Sequence, residues 1–273
     1  MGAVIGALRA THPLPAAAVT ALVGLVTAAR GADPATVGWV VASTAAGQGS
    51  VGWSNDYLDR HRDRAAGRTD KPLVGGEVSP RAVLVGAVVA LPASALLSIP
   101  VGLPEAGVMA FAVASAWGYN LGLKATALSW VPYAVSFGLA PVYIWLATSA
   151  GDPPPPWLVA GTAALGVSAH LLNVIPDLEA DRRTTVRGLP HRLGPKGSLF
   201  LACVLLAAAV VLVLAAGGVN GGSLTAAVAA GVLIAAVALT GLRGWGRLGF
   251  RLGMAAAGAV VLVFLLSPSG PRW

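Results

Sequence analysis

Long apolar runs separated by short charged stretches are the feature of this sequence that most limits its fold. The runs lie near residues 14–30, 36–53, 82–100, 105–123, 126–148, 157–175, 198–216, 223–241 and 249–267. Each run has about 17 to 23 residues, enough for a helix to cross the roughly 30 Å hydrocarbon core of a bilayer. Only 11% of the 273 residues are charged, whereas soluble domains average about 25%. The sequence therefore predicts an all-α membrane protein with nine transmembrane helices.

The basic residues predict how these helices are oriented. With nine spans the connecting segments alternate between two sides. One side holds residues 1–13, 54–81, 124–125, 176–197 and 242–248, with Arg251 at its border. That side carries 16 of the 18 Lys and Arg residues, and the two exceptions are Arg30 and Arg272. Because the side rich in Lys and Arg is normally cytoplasmic, we predict a multi-pass protein of the cell membrane with its N-terminus and charged loops in the cytoplasm.

The remaining composition excludes several kinds of partner and site. The calculated pI is about 10.3, but the basic residues are spread among membrane loops and no nucleic-acid-binding motif accompanies them. The single cysteine, Cys203, excludes a disulfide framework and a Cys-ligated metal site. We therefore predict membrane lipid as the surroundings of this chain, no nucleic-acid partner and no obligate protein partner.

Two acidic clusters, NDYLDRHRD at 55–63 and NVIPDLEADRR at 173–183, each follow an apolar run directly. If the helix continues through the first cluster, Asp56, Asp59 and Asp63 are spaced by three and four residues. They then fall within about 60° of arc on one helix face. We therefore expect the first cluster to present three carboxylates together.

In the second cluster, Asp177 and Asp181 are four residues apart and are predicted to share a face, whereas Glu179 points nearly opposite. Five like charges at two helix ends cannot all stay ionised without a counter-charge. Neighbouring arginines in a solvated ion-pair network are one source of that charge, and a divalent metal is the other. The alignment and duplication of the acids favour the metal.

Carboxylate oxygens without His or Cys suit Mg²⁺, which keeps several waters and completes its coordination with substrate phosphates. We therefore expect a diphosphate bridged through Mg²⁺ to both clusters. The predicted metal ligands are Asp56, Asp59, Asp63, Asp177 and Asp181.

Basic residues near the clusters are candidate hydrogen-bond donors to phosphate oxygens that the metal does not coordinate. These candidates are Arg60, Arg64, Arg68, Lys71, Lys124, Arg182 and Arg187. For any one of them, membrane topology or a contact with lipid headgroups is an equal alternative. Lys71, Lys124 and Arg68 are the favoured candidates.

Three stretches resemble the signatures of the UbiA-type intramembrane prenyltransferases. NDYLDRHRDRAAGRTDKPLVGGEVS resembles the first signature: Asn-Asp, further Asp residues at plus three and plus seven, then a basic-Pro-Leu-x-x-Gly turn. NVIPDLEADRRTTVRGLPHRLG resembles the second, an Asp-x-x-x-Asp followed by an Arg-x-Leu-Pro-like segment. YNLGLKATALSWVPY, at 119–133, resembles the Tyr…Lys stretch between spans four and five. The nine spans match as well, so the resemblance covers residues 1–273 as a single domain.

The resemblance implies a bundle around a central cavity that opens to the cytoplasmic side. It implies Mg²⁺-dependent transfer of a prenyl group from a prenyl diphosphate to a small acceptor, aromatic or otherwise lipophilic. It implies two Mg²⁺ ions, one held by Asn55, Asp56, Asp59 and Asp63 and the other by Asp177 and Asp181. The implied catalytic residues are Asp56, Asp59, Asp177, Asp181 and Lys124. The implied diphosphate contacts are Asn55, Arg60, Arg64, Arg68, Lys71, Tyr119, Asn173, Arg182 and Arg187.

Three alternative functions remain at this point. A terpene cyclase on the same scaffold would use the same metals and donor but quench the cation internally. A transporter would normally place ionisable residues or broken helices near mid-membrane, and here no Asp, Glu, Lys or Arg lies deep in a predicted span. A non-catalytic homologue is disfavoured because all five aspartates are present.

Overall fold

The structure, a computed structural model, describes residues 2–149, 153–178, 181, 186–244 and 246–270. Its helices are α1 (Gly2–Arg9), α2 (Pro13–Ala29), α3 (Pro34–Ala65), α4 (Pro80–Leu96), α5 (Leu103–Leu121), α6 (Val131–Thr148), α7 (Pro156–Val174), α8 (Leu189–Gly217), α9 (Gly221–Leu242) and α10 (Gly246–Leu266). Two short 3₁₀ turns, Leu123–Ala125 and Ile175–Asp177, lie between them. No β-strand occurs in the described ranges, so the predicted all-α class is confirmed.

Each predicted apolar run lies on one of these helices, but fewer helices qualify as membrane crossings. Five of the described helices are long and apolar enough to span a bilayer, namely α6 to α10. The pair α1 and α2, bent by 65°, would be a sixth if it is one span. Helix α4 is apolar but short, and α3 and α5 carry polar residues such as Gln48 and Asn120. The helices support a multi-pass membrane protein, while nine crossings and the cytoplasmic orientation stay predictions.

Helix starts follow capping rules that can be read in the sequence. Asp33 caps α3, because its Oδ1 accepts hydrogen bonds from the N–H groups of Ala35 and Thr36 at 2.9 and 3.1 Å. Asn220 and Ser223 form a reciprocal capping box at the start of α9. These side chains satisfy N–H groups that have no partner within the first turn of a helix.

The described chain divides into two compact units. The first comprises the residues up to 122 together with 146–149. Helix α3 is its central element and packs against α2, α4 and α5. The Ser50 hydroxyl on α3 donates to the carbonyl of Ala87 on α4 at 2.8 Å and accepts from Trp117 Nε1 on α5 at 2.9 Å. These bonds fix the helix that carries the first acidic cluster.

The second unit comprises 123–145 and the described residues from 153 onward. Helix α7 packs against α8 and α10, and α9 packs against α8 and α10. The buried side chains of Leu171, Leu206 and Val263 form part of its core. Within α8 the backbone leaves helical geometry at Gly194 (φ 71°), directly before Pro195. The start of α8 therefore runs in a different direction from its apolar part.

Candidate active site

The first acidic cluster lies on an uninterrupted helix. Helix α3 continues to Ala65, so the condition for a shared face, a helix that continues through the cluster, is met. Asp56, Asp59 and Asp63 are only 2, 7 and 6% exposed, whereas the neighbouring Leu58 is 37% exposed. The three carboxylates therefore share the inward face of α3, as their spacing predicts.

Asp56 is held through one of its two oxygens. Oδ1 accepts a hydrogen bond from Lys71 Nζ at 2.6 Å and lies 3.0 Å from His12 Nε2. Oδ2 is buried and has no hydrogen-bond partner among the described residues. Burial alone would raise the pKa of this carboxyl, but the hydrogen bond with His12 and the charge of Lys71 lower its pKa below the ordinary value. Asp56 is therefore ionised at neutral pH, and its buried Oδ2 is an oxygen that a bound cation would satisfy.

Asp59 is linked to a polar chain that joins two helices. Its Oδ2 accepts from Arg62 Nη2 at 2.7 Å and from Asn55 Nδ2 at 3.3 Å. The Asn55 amide also donates to Asn120 Oδ1 at 3.1 Å, and the Asn120 amide donates to Ser54 Oγ at 2.8 Å. Asn120 on α5 thus orients Asn55 on α3, so the contact between helices fixes the amide beside the cluster.

At Asp63, nearby positive charges do not fully offset the effect of burial on the pKa of the carboxyl group. Burial raises the pKa of its carboxyl, Lys71 opposes that shift, and the negative charge of Asp59 adds to it. Such a carboxylate gains from an additional positive charge nearby. The cluster as a whole is therefore suited to a cation.

We expect Asp63→Asn to stabilise the protein in the absence of divalent ions. The folded state binds the Asp63 proton more tightly than the unfolded state does. The stability from this group is thus present below the ordinary pKa of 3.8 and lost as the pH rises through the raised folded pKa. At pH 7 the charged side chain is a net cost that asparagine removes. Thermal denaturation in detergent with EDTA should show a Tm higher by about 1–3 °C.

The same variant should gain less stability from added Mg²⁺ than the wild type does, since it has lost one of the predicted carboxylate ligands. A Tm that is lower than wild type in EDTA would contradict the assignment of Asp63 as a buried, under-compensated acid.

The predicted phosphate donors near the first cluster differ in what their side chains lie near. Lys71 and Arg68 lie close enough for their charges to act on its carboxylates. Arg60 instead donates to the carbonyl of Tyr57 at 2.6 Å, and its guanidinium carbon lies 4.1 Å from the centre of the Tyr57 ring. Arg64 is exposed. The structure therefore brings Lys71 and Arg68 to the acids, while Arg60 contacts its own helix.

The second acidic cluster is described in part. Asp177 ends the 3₁₀ turn that continues α7 and is half-buried. Asp181 is half-buried as well, and its Oδ2 lies 3.3 Å from Nε2 of His191, whose side chain is 6% exposed. Glu179 and Arg182 lie outside the described residues. The shared face of Asp177 and Asp181 therefore stays a prediction.

The remaining candidates lie at helix ends. Tyr119 is in the last turn of α5 and is partly buried, whereas Asn173, in the last turn of α7, is exposed. Arg187 is exposed before the start of α8, and Lys124 is half-buried in the turn after α5.

Within the second unit, the Lys124 turn lies against the loop that follows the second cluster. A Cβ atom at Gly188 would lie 2.6 Å from the Lys124 carbonyl oxygen, so only glycine permits this approach. The Leu189 N–H donates to Ser129 Oγ at 2.8 Å and fastens the same two segments. The structure thus places Lys124 beside the Arg187 loop.

Two histidines near the aspartates were not singled out from the sequence. His12 contacts Asp56 and His191 lies beside Asp181. The sequence does contain a signal for each: His12 directly precedes a proline at the start of a span, and His191 follows Leu-Pro in the second signature. Neither signal specifies which acid the imidazole meets.

The ligand chemistry of the first cluster suits a hard divalent cation. It offers carboxylate and amide oxygens, which Mg²⁺ prefers, and it includes the buried, unpartnered Oδ2 of Asp56 within the described part of the chain. In the described ranges, no group of three or more His, Cys, Asp or Glu side chains is arranged so that it could hold a metal ion. Mg²⁺ needs fewer protein ligands than that when water and substrate phosphates complete its coordination.

Comparison with known proteins identifies relatives in sequence and in structure. The model of the UbiA prenyltransferase family matches residues 17–247. The bacteriochlorophyll synthase 33 kDa chain of Cereibacter sphaeroides is 30% identical over 162 residues, which cover 56% of this chain and 53% of that protein. The chain thus spans about half the length of the curated relatives it matches.

Two solved structures share the fold. A UbiA homolog from Aeropyrum pernix K1, in its apo form, is similar with a TM-score of 0.74 at 18% identity, over 92% of this chain and 97% of that chain. A UbiA homolog from Archaeoglobus fulgidus bound to DMAPP and Mg²⁺ is similar with a TM-score of 0.66 at 18% identity, over 94% of this chain and 97% of that chain. At this level of identity the likeness concerns the fold.

Proposed function

Because the chain belongs to the UbiA prenyltransferase family, we propose that it transfers a prenyl group from a prenyl diphosphate to a lipophilic small-molecule acceptor within the membrane. The observation that carries this proposal is the buried face of Asp56, Asp59 and Asp63, with Lys71 on one oxygen of Asp56 and the other oxygen buried without a hydrogen-bond partner among the described residues. The Archaeoglobus fulgidus homolog, which was solved with DMAPP and Mg²⁺, supports the choice of donor and metal.

Both acidic clusters contribute to metal binding in this proposal. Asp56, Asp59 and Asp63 would hold one Mg²⁺, and Asp177 and Asp181 would hold a second. When bound, Mg²⁺ supplies positive charge that stabilises the departing diphosphate. The carboxylates hold that positive charge in place. The hydrogen bond from Asn55 to Asn120 orients the Asn55 amide.

The basic side chains bind the donor and stabilise its leaving group. Lys71, Arg68 and Lys124 donate charge-assisted hydrogen bonds to diphosphate oxygens. The C–O bond between the allylic carbon and the diphosphate breaks, and its electron pair leaves with the diphosphate. The acceptor forms the new bond to that carbon and releases a proton. Apolar helices keep water away from the cationic prenyl group until the acceptor reacts.

The proposed setting of this reaction is the cytoplasmic side of the cell membrane, since 16 of the 18 Lys and Arg residues lie on the predicted cytoplasmic segments. The prenyl tail enters from lipid, because a chain of isoprene units is as apolar as the membrane interior. An acceptor that is itself lipophilic reaches the same site without leaving the bilayer.

The test is turnover by the purified protein. Labelled geranyl, farnesyl and geranylgeranyl diphosphates are incubated with the protein in detergent, with and without a membrane extract, and with Mg²⁺ or EDTA. We expect Mg²⁺-dependent release of diphosphate and transfer of label to one extract component. Hydrocarbon formed without extract would indicate a cyclase, and flux of the label through liposomes without diphosphate release would indicate a transporter.

A further inference from the structure

We propose that His12 is a further residue of this site: a positioning residue that holds one oxygen of Asp56 so that the other oxygen faces the metal. The inference rests on the proposed function, since it concerns the same Mg²⁺ site. It adds a side chain from a segment that neither acidic signature contains.

His12, Asp56 and Lys71 form a closed triangle of contacts. Nε2 of His12 lies 3.0 Å from Asp56 Oδ1 and 3.4 Å from Lys71 Nζ. Nζ of Lys71 lies 2.6 Å from the same Oδ1. Rotation of the Asp56 carboxylate would break both of its contacts at once. Its Oδ2, which meets no hydrogen-bond partner in the described ranges, is therefore kept in one orientation.

The backbone at His12 is held in an unfavourable conformation. His12 has φ 56° and ψ 64°, and it is the only non-glycine residue with positive φ in the described part of the chain. The left-handed region costs energy for a residue with a Cβ atom, so such residues persist where surrounding contacts hold them, often at functional sites. This conformation directs the chain from α1 into α2 and places the imidazole beside α3.

Close packing holds the turn between α1 and α2, residues 10–12 (the corner), against α3. A Cβ atom at Gly52 would lie 2.6 Å from the carbonyl oxygen of Thr11, so glycine is required for this approach. Gly52 is one helical turn before Asp56 on the same helix. The backbone of the corner therefore contacts α3 about one turn before Asp56, and this position brings His12 to the carboxylate.

Helix α1 anchors the corner from its other side. Arg9 pairs with Glu77, and its Nη2 donates to the carbonyl of Asp70 at 2.8 Å. Trp53 Nε1 on α3 donates to the carbonyl of Ala7 at 2.9 Å. These bonds join α1, which directly precedes the His12 turn, to α3, which supplies Asp56, and to the segment after α3, which supplies Lys71. The triangle is thus built into the packing of the first unit.

Residues that hydrogen-bond to metal-binding carboxylates orient them, and losing such a partner typically lowers metal affinity by about 10–100-fold. His12 meets this description because it contacts Oδ1 of Asp56 and leaves the buried Oδ2 as the oxygen for the metal. Lys71 alone is a flexible partner with a long side chain, whereas the imidazole is rigid and comes from a fixed corner.

The test measures metal binding without turnover. Mn²⁺, which binds oxygen sites of the same type, is titrated into the protein, and the free ion is followed by electron paramagnetic resonance. His12→Gly keeps the left-handed backbone without a side chain. His12→Gln carries an amide group at about the reach of Nε2, and the shorter His12→Asn does not. We expect Mn²⁺ affinity to fall about 10–100-fold in the Gly and Asn variants and to be largely restored in the Gln variant.

His61→Gln is the matched control, because His61 lies in the same cluster segment but is exposed rather than on the buried face of the three aspartates, and it should bind Mn²⁺ like the wild type. Wild-type affinity in a folded His12→Gly, or an equal loss in the Gln and Asn variants, would overturn the inference. If His12→Gly does not fold, the comparison of Gln with Asn decides alone. A wild-type protein that fails to bind Mn²⁺ would also overturn the inference, whereas the absence of Mg²⁺-dependent diphosphate release by the wild type would remove the proposed function, so the two failures are distinct.

Discussion

Asp56→Asn should slow prenyl transfer by about two to three orders of magnitude, the usual cost of losing one group that stabilises transition-state charge. Asparagine has nearly the same shape as aspartate but no negative charge, so the buried Oδ2, the proposed metal ligand, loses its strength as a ligand. The neighbouring Lys71 would then carry an uncompensated charge next to that site. The rate of diphosphate release at saturating donor and Mg²⁺ measures the effect.

The control for this variant is the same substitution at the other end of α3. Asp33 caps the helix through Oδ1, and asparagine caps helices about as well as aspartate. Asp33→Asn should therefore keep both turnover and Tm near the wild-type values. Near-normal turnover in a folded Asp56→Asn would remove the first cluster from the reaction.

Helical periodicity made one part of the candidate site predictable from the sequence. The spacing of Asp56, Asp59 and Asp63 by three and four residues requires only that the helix continue, and α3 does continue through them. Their burial follows from the same periodicity, because residues on one face of a central helix meet the same neighbours. The all-α class was predictable for a similar reason, since each apolar run is long enough to form a helix by itself.

Contacts that depend on tertiary packing could not be predicted in this way. His12 and Asp56 are separated by 44 positions. They meet because His12 has a left-handed backbone conformation and because Thr11, in the same corner, packs on Gly52. Arg60 lies within the acidic cluster in sequence, yet it contacts the carbonyl and ring of Tyr57. Spacing specifies the face of a helix, but it does not specify which rotamer a long side chain adopts.

The number of membrane crossings was harder to predict than the helices themselves. A helix forms wherever the backbone bonds within it are favourable, whereas a crossing also needs enough length and little polar content. Helix α4 is short for a crossing, and α5 carries Glu105 in its first turn and Asn120 in its last. Helix α3 is long, but its second half carries the acidic cluster. Apolar runs therefore predicted the positions of helices more securely than they predicted spans.

Asp177→Asn should also slow prenyl transfer by about two to three orders of magnitude, because it removes a carboxylate that is proposed to hold the second Mg²⁺. The double variant Asp56→Asn/Asp177→Asn should be no slower than the slower of the two single variants, since groups that act as one unit in catalysis are strongly non-additive. Independent roles would instead multiply the two losses to about four to six orders of magnitude. The single-turnover rate of the four proteins separates these outcomes.

Glu179→Gln is the neighbouring control for this series, because the helical period predicts that Glu179 faces away from Asp177 and Asp181. Its turnover should stay near the wild-type value. If Glu179→Gln lost activity while Asp177→Asn kept it, the second cluster would present the opposite face to the substrate. If both single losses multiplied in the double variant, the second cluster would serve a step other than departure of the diphosphate, such as binding of the acceptor. Non-additivity together with an active Glu179→Gln is the result that one shared diphosphate requires, because removing either cluster then already abolishes the charge stabilisation that both supply.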